Sequence, residues 1–503
     1  MRMIGAVVAL MLALPALAGV ANVVTLVDAG QFKAAEREIA RGLVAKATLP
    51  EDRTALEFER ERMRRIRLDF SLSRAEVEAQ LQKAVPDFRP DDFTAWDKPA
   101  LLEQMTIDGE RRYFHAAVKN LFRVDQAANA RRAEPVSLGD DGPLYRLAPY
   151  HADVRKLALE SGKASVAPQR VKVTYTLTVN ADAVPAGQTV RAWLPFPRTL
   201  PGQQEQVKLL SSFPAGARIA PESALQRTAY LEQVARAGQP LRYSIDYELV
   251  TYATYHAIDA AKVTAAAITP ELAPFVAERA PHIVFTDALR RYSREIVGDE
   301  KNPYRIAQKL FAAVDRTPWA SAREYSTISN ISDYALHAGH ADCGQQTLLL
   351  MTLLRLNGIP SRWQSGWEFS GEAIASKPFD TMHDWGWLYL APYGWVPMDV
   401  THGRLAGADP VLEWFYLGGL DGYRIAFNDD YGRDFVPPKR HFRSETLDLQ
   451  RGEVEWKGGN LYFDQWDYTF NWQVLPADAG AAPQAGTEQP FARHYHAGLN
   501  PVL

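Results

Sequence analysis

The chain holds a single cysteine, Cys343, in 503 residues. It follows Asp342 and precedes a leucine-rich run, 348–356, that predicts a buried helix beginning near the thiol. A thiol at a helix N-terminus faces unpaired N–H groups and the positive end of the helix dipole, and both favour the nucleophilic thiolate. The position therefore indicates a catalytic nucleophile, with an inert buried cysteine as the alternative.

A cysteine nucleophile needs a base, and candidates follow downstream. His383 and Asp399 lie on two predicted strands that flank the turn 391–394. Antiparallel pairing would bring the two side chains to cross-strand or diagonal reach, about 5–8 Å between Cβ atoms. This requires a turn longer than two residues or a bulge in one strand. His383 would then hold the Cys343 thiolate as an ion pair and protonate the leaving amine, while Asp399 orients the imidazole.

The elements that must position these residues belong to a predicted α+β multidomain fold. Helical spacing of apolar residues across 32–43 and a capping box at Ser73–Glu76 predict a helical N-terminal region. Strict alternation across 171–179 predicts a half-buried strand of a β-sandwich. The predicted regions are a signal peptide (1–18), a helical N-terminal region (19–160), a β-sandwich domain (165–262), a catalytic core (280–405), a strand-rich C-terminal region (406–475) and a flexible tail (476–503).

The first residues indicate export. A positively charged start, an apolar run over 4–14 and the small-x-small sequence Ala16–Leu17–Ala18 are typical of a secretory signal peptide; an uncut membrane anchor is the alternative. The expected location is therefore periplasmic or secreted. No later run offers about 18 apolar residues, so no stable membrane insertion is expected after signal cleavage. One cysteine cannot form an internal disulfide, so Cys343 does not stabilise the fold through a disulfide bond.

The overall charge excludes one class of partner. The formal net charge is −4, and the chain lacks the basic stripe expected of a nucleic-acid-binding protein. Basic residues do cluster between Arg60 and Arg67, but they alternate with acidic residues, which predicts a solvated helix face.

Three motifs together resemble the transglutaminase-like superfamily: Gly339-His-Ala-Asp-Cys343, His383-Asp-Trp385 and Gly394-Trp-Val-Pro-Met-Asp399-Val-Thr401. The resemblance implies a papain-like α/β core in which Cys343, His383 and Asp399 are nucleophile, base and orienting residue. It also implies that the strand register brings His383 and Asp399 together. The layout is similar to that of exported bacterial members. The backbone N–H of Cys343 is the expected oxyanion donor, because Trp319 does not match the spacing of the family's upstream tryptophan.

These observations predict a thiol enzyme that acts on amide bonds of proteins or peptides. Cys343 would expel an amine, and water or a second amine would resolve the acyl-enzyme, giving hydrolysis or transfer. The chemistry requires no metal or organic cofactor. The alternative is a non-catalytic transglutaminase-like scaffold that binds a protein or cell-wall partner.

Two motifs have metal-binding alternatives. His337, His340 and Cys343 could be zinc ligands, although structural zinc sites usually contain more sulfur, in two separated ligand pairs. A polar approach to the predicted helix is the simpler interpretation. The acidic stretch Asn428–Asp434 lacks the ligand spacing of an EF-hand, so it is predicted to be an exposed loop rather than a calcium site.

Overall fold

The structure is a computed structural model that describes residues 19–135, 146–369, 382–407 and 409–475. The predicted signal peptide, 1–18, and the predicted tail, 476–503, lie outside the described residues. The described chain divides into two compact units. The first unit holds 19–135 and 320–329, and the second holds the rest of the described chain.

The first unit is mainly helical. Residues 19–28 are helical, and the helices that follow are α1 (Phe32–Val44), α2 (Pro50–Asp69), α3 (Arg74–Ala84), α4 (Pro90–Trp96), α5 (Ala117–Val124) and α6 (Gln126–Ala130). A short hairpin, β1 (Gln104–Ile107) and β2 (Glu110–Tyr113), completes the unit. The capping box predicted at the start of α3 is present, because the Ser73 side chain accepts from the Glu76 N–H and Glu76 accepts from the Ser73 N–H. The apolar helix faces form one core, so burial of those faces stabilises the unit.

Two arginines of α2 are buried, which corrects the prediction of a fully solvated face over Arg60–Arg67. Arg62 bonds Asp28 at 2.7 Å and donates to the backbone oxygen of Thr327 at 3.2 Å. Arg65 is completely buried and bonds Glu61. Buried guanidinium groups need charged or hydrogen-bonding partners, and the acidic residues supply them. The prediction failed because alternating charge cannot distinguish a solvated helix face from a face whose ion pairs are enclosed.

The second unit contains two five-stranded sheets. Their strands are β3 (Ser165–Val179), β4 (Thr189–Pro195), β5 (Gln204–Phe213), β6 (Arg218–Ile219), β7 (Thr228–Val234), β8 (Leu241–Tyr255), β12 (Gly419–Leu420), β14 (Glu453–Trp456), β15 (Gly459–Leu461) and β16 (Trp466–Leu475). One sheet has the order β12–β8–β3–β16, with β5 also paired to β8, and the other has the order β15–β14–β4–β7–β6. The alternating residues of 171–179 lie in β3, as predicted, and their apolar side chains are buried. The last strands along the chain thus pair with β3 and β4.

A third sheet carries the predicted catalytic residues. Its order is β11–β10–β9–β13, with bounds β9 (Ser361–Glu368), β10 (Met382–Leu390), β11 (Gly394–Met398) and β13 (Arg424–Asn428). The helices of this unit are α7 (Pro149–Ser161), α8 (Asp287–Val297), α9 (Pro303–Asp315), α10 (Ile331–His337) and α11 (Cys343–Leu356). Every residue of α11 from Cys343 to Arg355 is buried, as the apolar run predicted, and Gly358 follows the helix at φ +72°. The third sheet and α11 therefore position the candidate site.

Across the described ranges, no helix combines the length and apolar character needed to cross a membrane.

Candidate active site

Cys343 is the first residue of α11, where the sequence predicted it. Asp342 caps the helix by accepting from the Gln345 N–H at 3.0 Å, and the Gln345 side chain accepts from the Asp342 N–H at 3.2 Å. The Gln346 side chain connects the first turn of α11 to two other segments of the chain. It donates to the Thr317 carbonyl and accepts from the Thr401 hydroxyl at 2.7 Å. The thiol is therefore held at a fixed helix end, and Cys343 is only 8% exposed.

Trp319, whose spacing does not match the family's upstream tryptophan, has its backbone next to the residues that precede α11. Its backbone forms a parallel bridge with Ala341, two residues before Cys343, and the Ala341 N–H donates to Pro318 at 3.1 Å. This contact places the Trp319 backbone beside the approach to α11.

The structure brings His383 and Asp399 together. In the hairpin of β10 and β11, Leu390 pairs with Gly394 and Gly386 with Met398, so three residues form the turn. Continuing that register by one residue places Asp399 opposite Trp385, diagonal to His383 and on the same face. The Nε2 atom of His383 lies 2.8 Å from Oδ2 of Asp399. The longer turn that the sequence argument required is therefore present.

Backbone groups hold the other oxygen of Asp399. The N–H groups of Thr401 and His402 donate to Oδ1 at 3.0 and 3.2 Å. Both oxygens of this fully buried carboxylate are thus engaged, and its orientation toward the imidazole is fixed.

A buried charged cluster that the sequence did not reveal surrounds this pair. Its other members are Glu368, His402, Asp421 and Arg424. Arg424 bonds Asp399 at 2.7 Å, Glu368 at 2.9 Å and Asp421 at 2.7 Å. His402 lies 2.8 Å from Glu368. The pairing of β13 with β9, in which Arg424 lies opposite Glu368, brings the guanidinium into the cluster.

The charges in this cluster compensate one another. Burial alone would raise the pKa of the Asp399 carboxyl, but His383, His402 and Arg424 together hold that pKa well below its usual range. The same balance lowers the pKa of Glu368. For His402, the nearby carboxylates outweigh the opposing effect of burial and raise its pKa. The carboxylates of Asp399 and Glu368 are therefore ionised.

The thiol has a different partner. The Cys343 Sγ–H donates to Oδ2 of Asp384 over 3.2 Å. Successive residues of a strand point to opposite faces, so Asp384 and His383 extend to opposite faces of β10. Among the described residues, no hydrogen bond joins Cys343 to His383. The structure thus assembles the His383–Asp399 pair and places the thiol on the neighbouring residue.

The environment of Cys343 opposes ionisation of its thiol. Burial raises the pKa of Cys343 well above its usual value, and the negative charges of Asp384 and Asp342 raise it further. The helix N-terminus, on which alone the prediction from the sequence rested, favours the thiolate; burial and these two carboxyl groups act in the opposite direction.

One group of side chains has the spacing of metal ligands. Ligand atoms of Glu368, His383, Asp399 and His402 lie within 4.8 Å of one another. The Arg424 guanidinium already bonds both carboxylates, so a cation occupies the position that would attract a metal. We interpret the group as an ion-pair network.

The other metal-binding alternatives are not supported within the described residues. His337 is largely exposed and its Nδ1 bonds the Asp333 carbonyl, whereas Cys343 bonds Asp384. Within the described ranges, the side chains of His337, His340 and Cys343 do not converge in a group with metal-ligand spacing.

Residues 428–431 are buried or half-buried and 432–434 are exposed, so the prediction of an exposed loop was wrong for the first part of the acidic stretch only. Asp429 bonds Arg198 at 2.6 Å and Asp430 bonds Arg279 at 2.7 Å. The arginines come from distant parts of the chain, and the local sequence gave no sign of them.

Comparison with known proteins gives a family match for the core and several structural neighbours at low identity. Residues 290–400 match the family model of the transglutaminase-like superfamily. Two structural neighbours are a "putative cysteine protease" from Cytophaga hutchinsonii and the periplasmic domain of TgpA from Pseudomonas aeruginosa. The first is 14% identical, with a TM-score of 0.41, and the match covers 63% of this chain and 94% of that one. The second is also 14% identical, with a TM-score of 0.24, and the match covers 50% of this chain and 92% of that one.

The search of the curated proteins finds no match. The family match spans Cys343, His383 and Asp399 together with the helix and the strands that carry them. Residues 290–400 of this chain are therefore a transglutaminase-like domain.

Proposed function

We propose that the protein is an exported thiol enzyme that acts on amide bonds of proteins or peptides. Cys343 is the nucleophile, His383 the base and Asp399 the residue that orients the base. The observation that carries the proposal is the 2.8 Å contact between His383 and Asp399 on the strands that neighbour a thiol-bearing helix N-terminus. Export rests on the signal-peptide sequence at 1–18.

The chemistry follows the usual course of a cysteine acyl transfer. Sγ attacks the amide carbonyl after its proton has passed to His383, and the tetrahedral intermediate collapses as His383 returns that proton to the leaving amine. Water or a second amine then attacks the thioester and restores the thiol. Asp399 stabilises the imidazolium that forms in between. Because Asp399 holds Nε2, Nδ1 is the atom that receives the proton.

Catalysis requires the Cys343 sulfur to leave Asp384 and contact His383. In the described arrangement Sγ donates to Asp384, and the proton must reach His383 instead. Because His383 and Asp384 extend to opposite faces of β10, we propose that the active arrangement differs from the described one in the backbone of β10 as well as in the Cys343 side chain.

A non-catalytic scaffold that binds a protein or cell-wall partner is the second candidate. The bond from the thiol to Asp384 favours it, because a protonated, buried sulfur is a poor nucleophile. The two candidates differ in whether His383 controls the reactivity of Cys343.

An activity-based experiment separates them. A thiol-reactive peptide amide probe is incubated with the purified protein and with the His383→Ala variant. The enzyme hypothesis expects labelling of Cys343 to fall by about 100-fold or more in the variant, since general acid–base catalysis contributes 10²–10⁴-fold. The matched control is His337→Ala, which removes a largely exposed histidine and leaves labelling unchanged. Equal, slow labelling of all three proteins would support the scaffold.

Products distinguish hydrolysis from transfer. The protein is incubated with a peptide library, with and without a primary amine, and products are identified by mass spectrometry. New peptide termini indicate hydrolysis, and incorporation of the amine indicates transfer. We expect one of these products with the unmodified protein and neither with Cys343→Ser.

A further inference from the structure

Two buried carboxyl groups that the proposed triad does not use lie beside the Cys343 thiol. Sγ donates to Asp384, and Asp384 hydrogen-bonds in turn to Asp448. Asp384 and Asp448 are only 2% and 1% exposed. A chain of hydrogen bonds therefore runs from the sulfur through Asp384 to Asp448.

Neighbouring side chains fix this pair. The Gln450 amide donates to Oδ1 of Asp384 at 3.0 Å and to the backbone oxygen of His383 at 2.9 Å. The Ser365 hydroxyl donates to Oδ2 of Asp448 at 2.6 Å. Gln450 thus links the carboxyl that holds the thiol to the strand position of the proposed base.

Two carboxyl groups in hydrogen-bond contact do not ionise independently, because the second negative charge is repelled by the first. One proton is then shared, and the pair as a whole carries one negative charge. Burial raises the pKa of Asp384, and the charge of Asp448 raises it further.

The charged groups that face the pair come from several elements. Asp342, the helix cap, adds negative charge next to Cys343 and Asp384. Burial raises the pKa of Asp448, and Arg443 and Arg451 partly oppose that rise. The cations thus lie on the Asp448 side of the pair, and the thiol faces the anionic side.

We propose that the hydrogen-bonded Asp384–Asp448 pair holds the Cys343 sulfur as a protonated thiol and thereby sets how readily it becomes a nucleophile. Asp384 is a positioning residue in this scheme. In the active arrangement of the proposed function, in which the sulfur contacts His383, the thiol proton passes to the imidazole and the proton shared by the carboxyls stays with them. The consequence for turnover rests on the proposed function, whereas the control of thiol protonation does not.

The test is a direct titration of the thiol. Because Cys343 is the only cysteine, selective ¹³Cβ-cysteine labelling gives one resonance whose shift reports ionisation, and the pH dependence of iodoacetamide alkylation gives a second readout. In the unmodified protein we expect a pKa above about 8.5, the ordinary value. In Asp384→Asn, the thiol pKa falls by about one unit or more, so the thiolate fraction at pH 7 rises by about tenfold or more.

The variant Asp448→Asn gives the opposite sign. Without Asp448 the shared proton is lost, Asp384 carries a full charge, and the thiol pKa rises. Asp342→Asn keeps the helix cap and removes a charge that does not bond the thiol, so its effect is smaller than that of Asp384→Asn. A contribution to folding alone would not produce shifts of opposite sign in the two members of the pair.

A thiol pKa below 7 in the unmodified protein, or superimposable titrations of that protein and Asp384→Asn, overturns the inference. If Asp384→Asn does not fold, as judged by circular dichroism, the thiol titrations of the unmodified protein and of Asp448→Asn still test the inference. The proposed function can fail independently. In that case Asp384→Asn shifts the thiol titration while His383→Ala leaves probe labelling unchanged.

Discussion

At the residue scale, the site depends on which partner each charged group has. Asp399 has His383, Arg424 and two backbone N–H groups, whereas Cys343 has Asp384. The second arrangement disfavours ionisation of the thiol, because burial and the Asp384 carboxyl raise its pKa. Under the proposed function, the reactivity of Cys343 depends on which of two neighbouring residues of β10, His383 or Asp384, it contacts.

Replacing Arg424 tests the charged cluster. Arg424→Met leaves Asp399, Glu368 and Asp421 buried without their shared cation, and breaking a buried ion pair in this way costs about 3–5 kcal/mol. We expect a loss of that order in the free energy of unfolding, measured by urea denaturation. The control is Arg433→Met, which breaks a half-exposed pair with Asp430 and should cost about 0–1 kcal/mol. Similar losses in both variants would show that the cluster is not held by Arg424.

The sequence indicated candidate catalytic residues but not their contacts. Cys343, His383 and Asp399 stand in motifs typical of a thiol enzyme, and their catalytic role stays a prediction. The partners Glu368, Asp448 and Arg424 could not be predicted, because strand pairings and loops that the local sequence does not encode bring them in. Asp384 was visible inside a motif, but its role depends on which face of β10 the helix α11 covers.

At the scale of elements, the predictions that rest on patterns within a few consecutive residues were confirmed. The alternation over 171–179, the capping box at Ser73 and the apolar run of α11 each predicted the structure that is present. Each of these elements is determined by residues within a few positions. The burial of arginines in α2 was not predictable in this way, because their partners include Asp28 and the backbone of Thr327.

The segment 320–329 provides a pH-dependent element in the helical unit. Asp69 accepts from the Thr327 hydroxyl at 2.7 Å and from the Glu324 N–H at 3.2 Å. Burial, together with the charge of Glu324, raises the pKa of Asp69 to about 8. The folded unit therefore binds a proton that the unfolded chain has released above about pH 4. Its stability is full below pH 4 and declines as pH rises toward 8, by at most about 1.4 kcal/mol per pH unit from this group.

Hydrogen exchange of peptides that cover 320–329 measures this effect, after correction for the intrinsic pH dependence of exchange. We expect protection to fall between pH 5 and pH 9 in the unmodified protein and to fall less in Asp69→Asn. Asp91→Asn, at an exposed position of α4, should behave like the unmodified protein. Equal slopes for Asp69→Asn and the unmodified protein would contradict the assignment.

At the scale of the whole molecule, the two five-stranded sheets depend on strands from distant parts of the sequence. β16 pairs with β3 over ten residue pairs, and β14 pairs with β4. The predicted β-sandwich region, 165–262, therefore contributes to sheets that also contain strands from 406–475. No signal in the sequence indicated this pairing, because alternation shows that a strand exists but not which strand it joins.

Truncation tests this dependence. A chain that ends after Arg451 lacks β14, β15 and β16 and leaves edges of β3 and β4 unpaired. We expect it to be insoluble or to lose cooperative unfolding. The matched control ends after Leu475 and retains every described strand, so it should unfold with the same denaturant midpoint as the full chain. A soluble, cooperatively folded product of the shorter truncation would show that the late strands are dispensable.

The pairing of β16 with β3 has a consequence for biogenesis. While the ribosome is still making the chain, one side of β3 has no partner, and an open strand edge of this kind recruits other chains. Contacts between segments so far apart also form slowly. The open edge of β3 therefore persists until residues 466–475 have been synthesised, and we expect a chaperone that covers strand edges to reduce aggregation of the nascent chain.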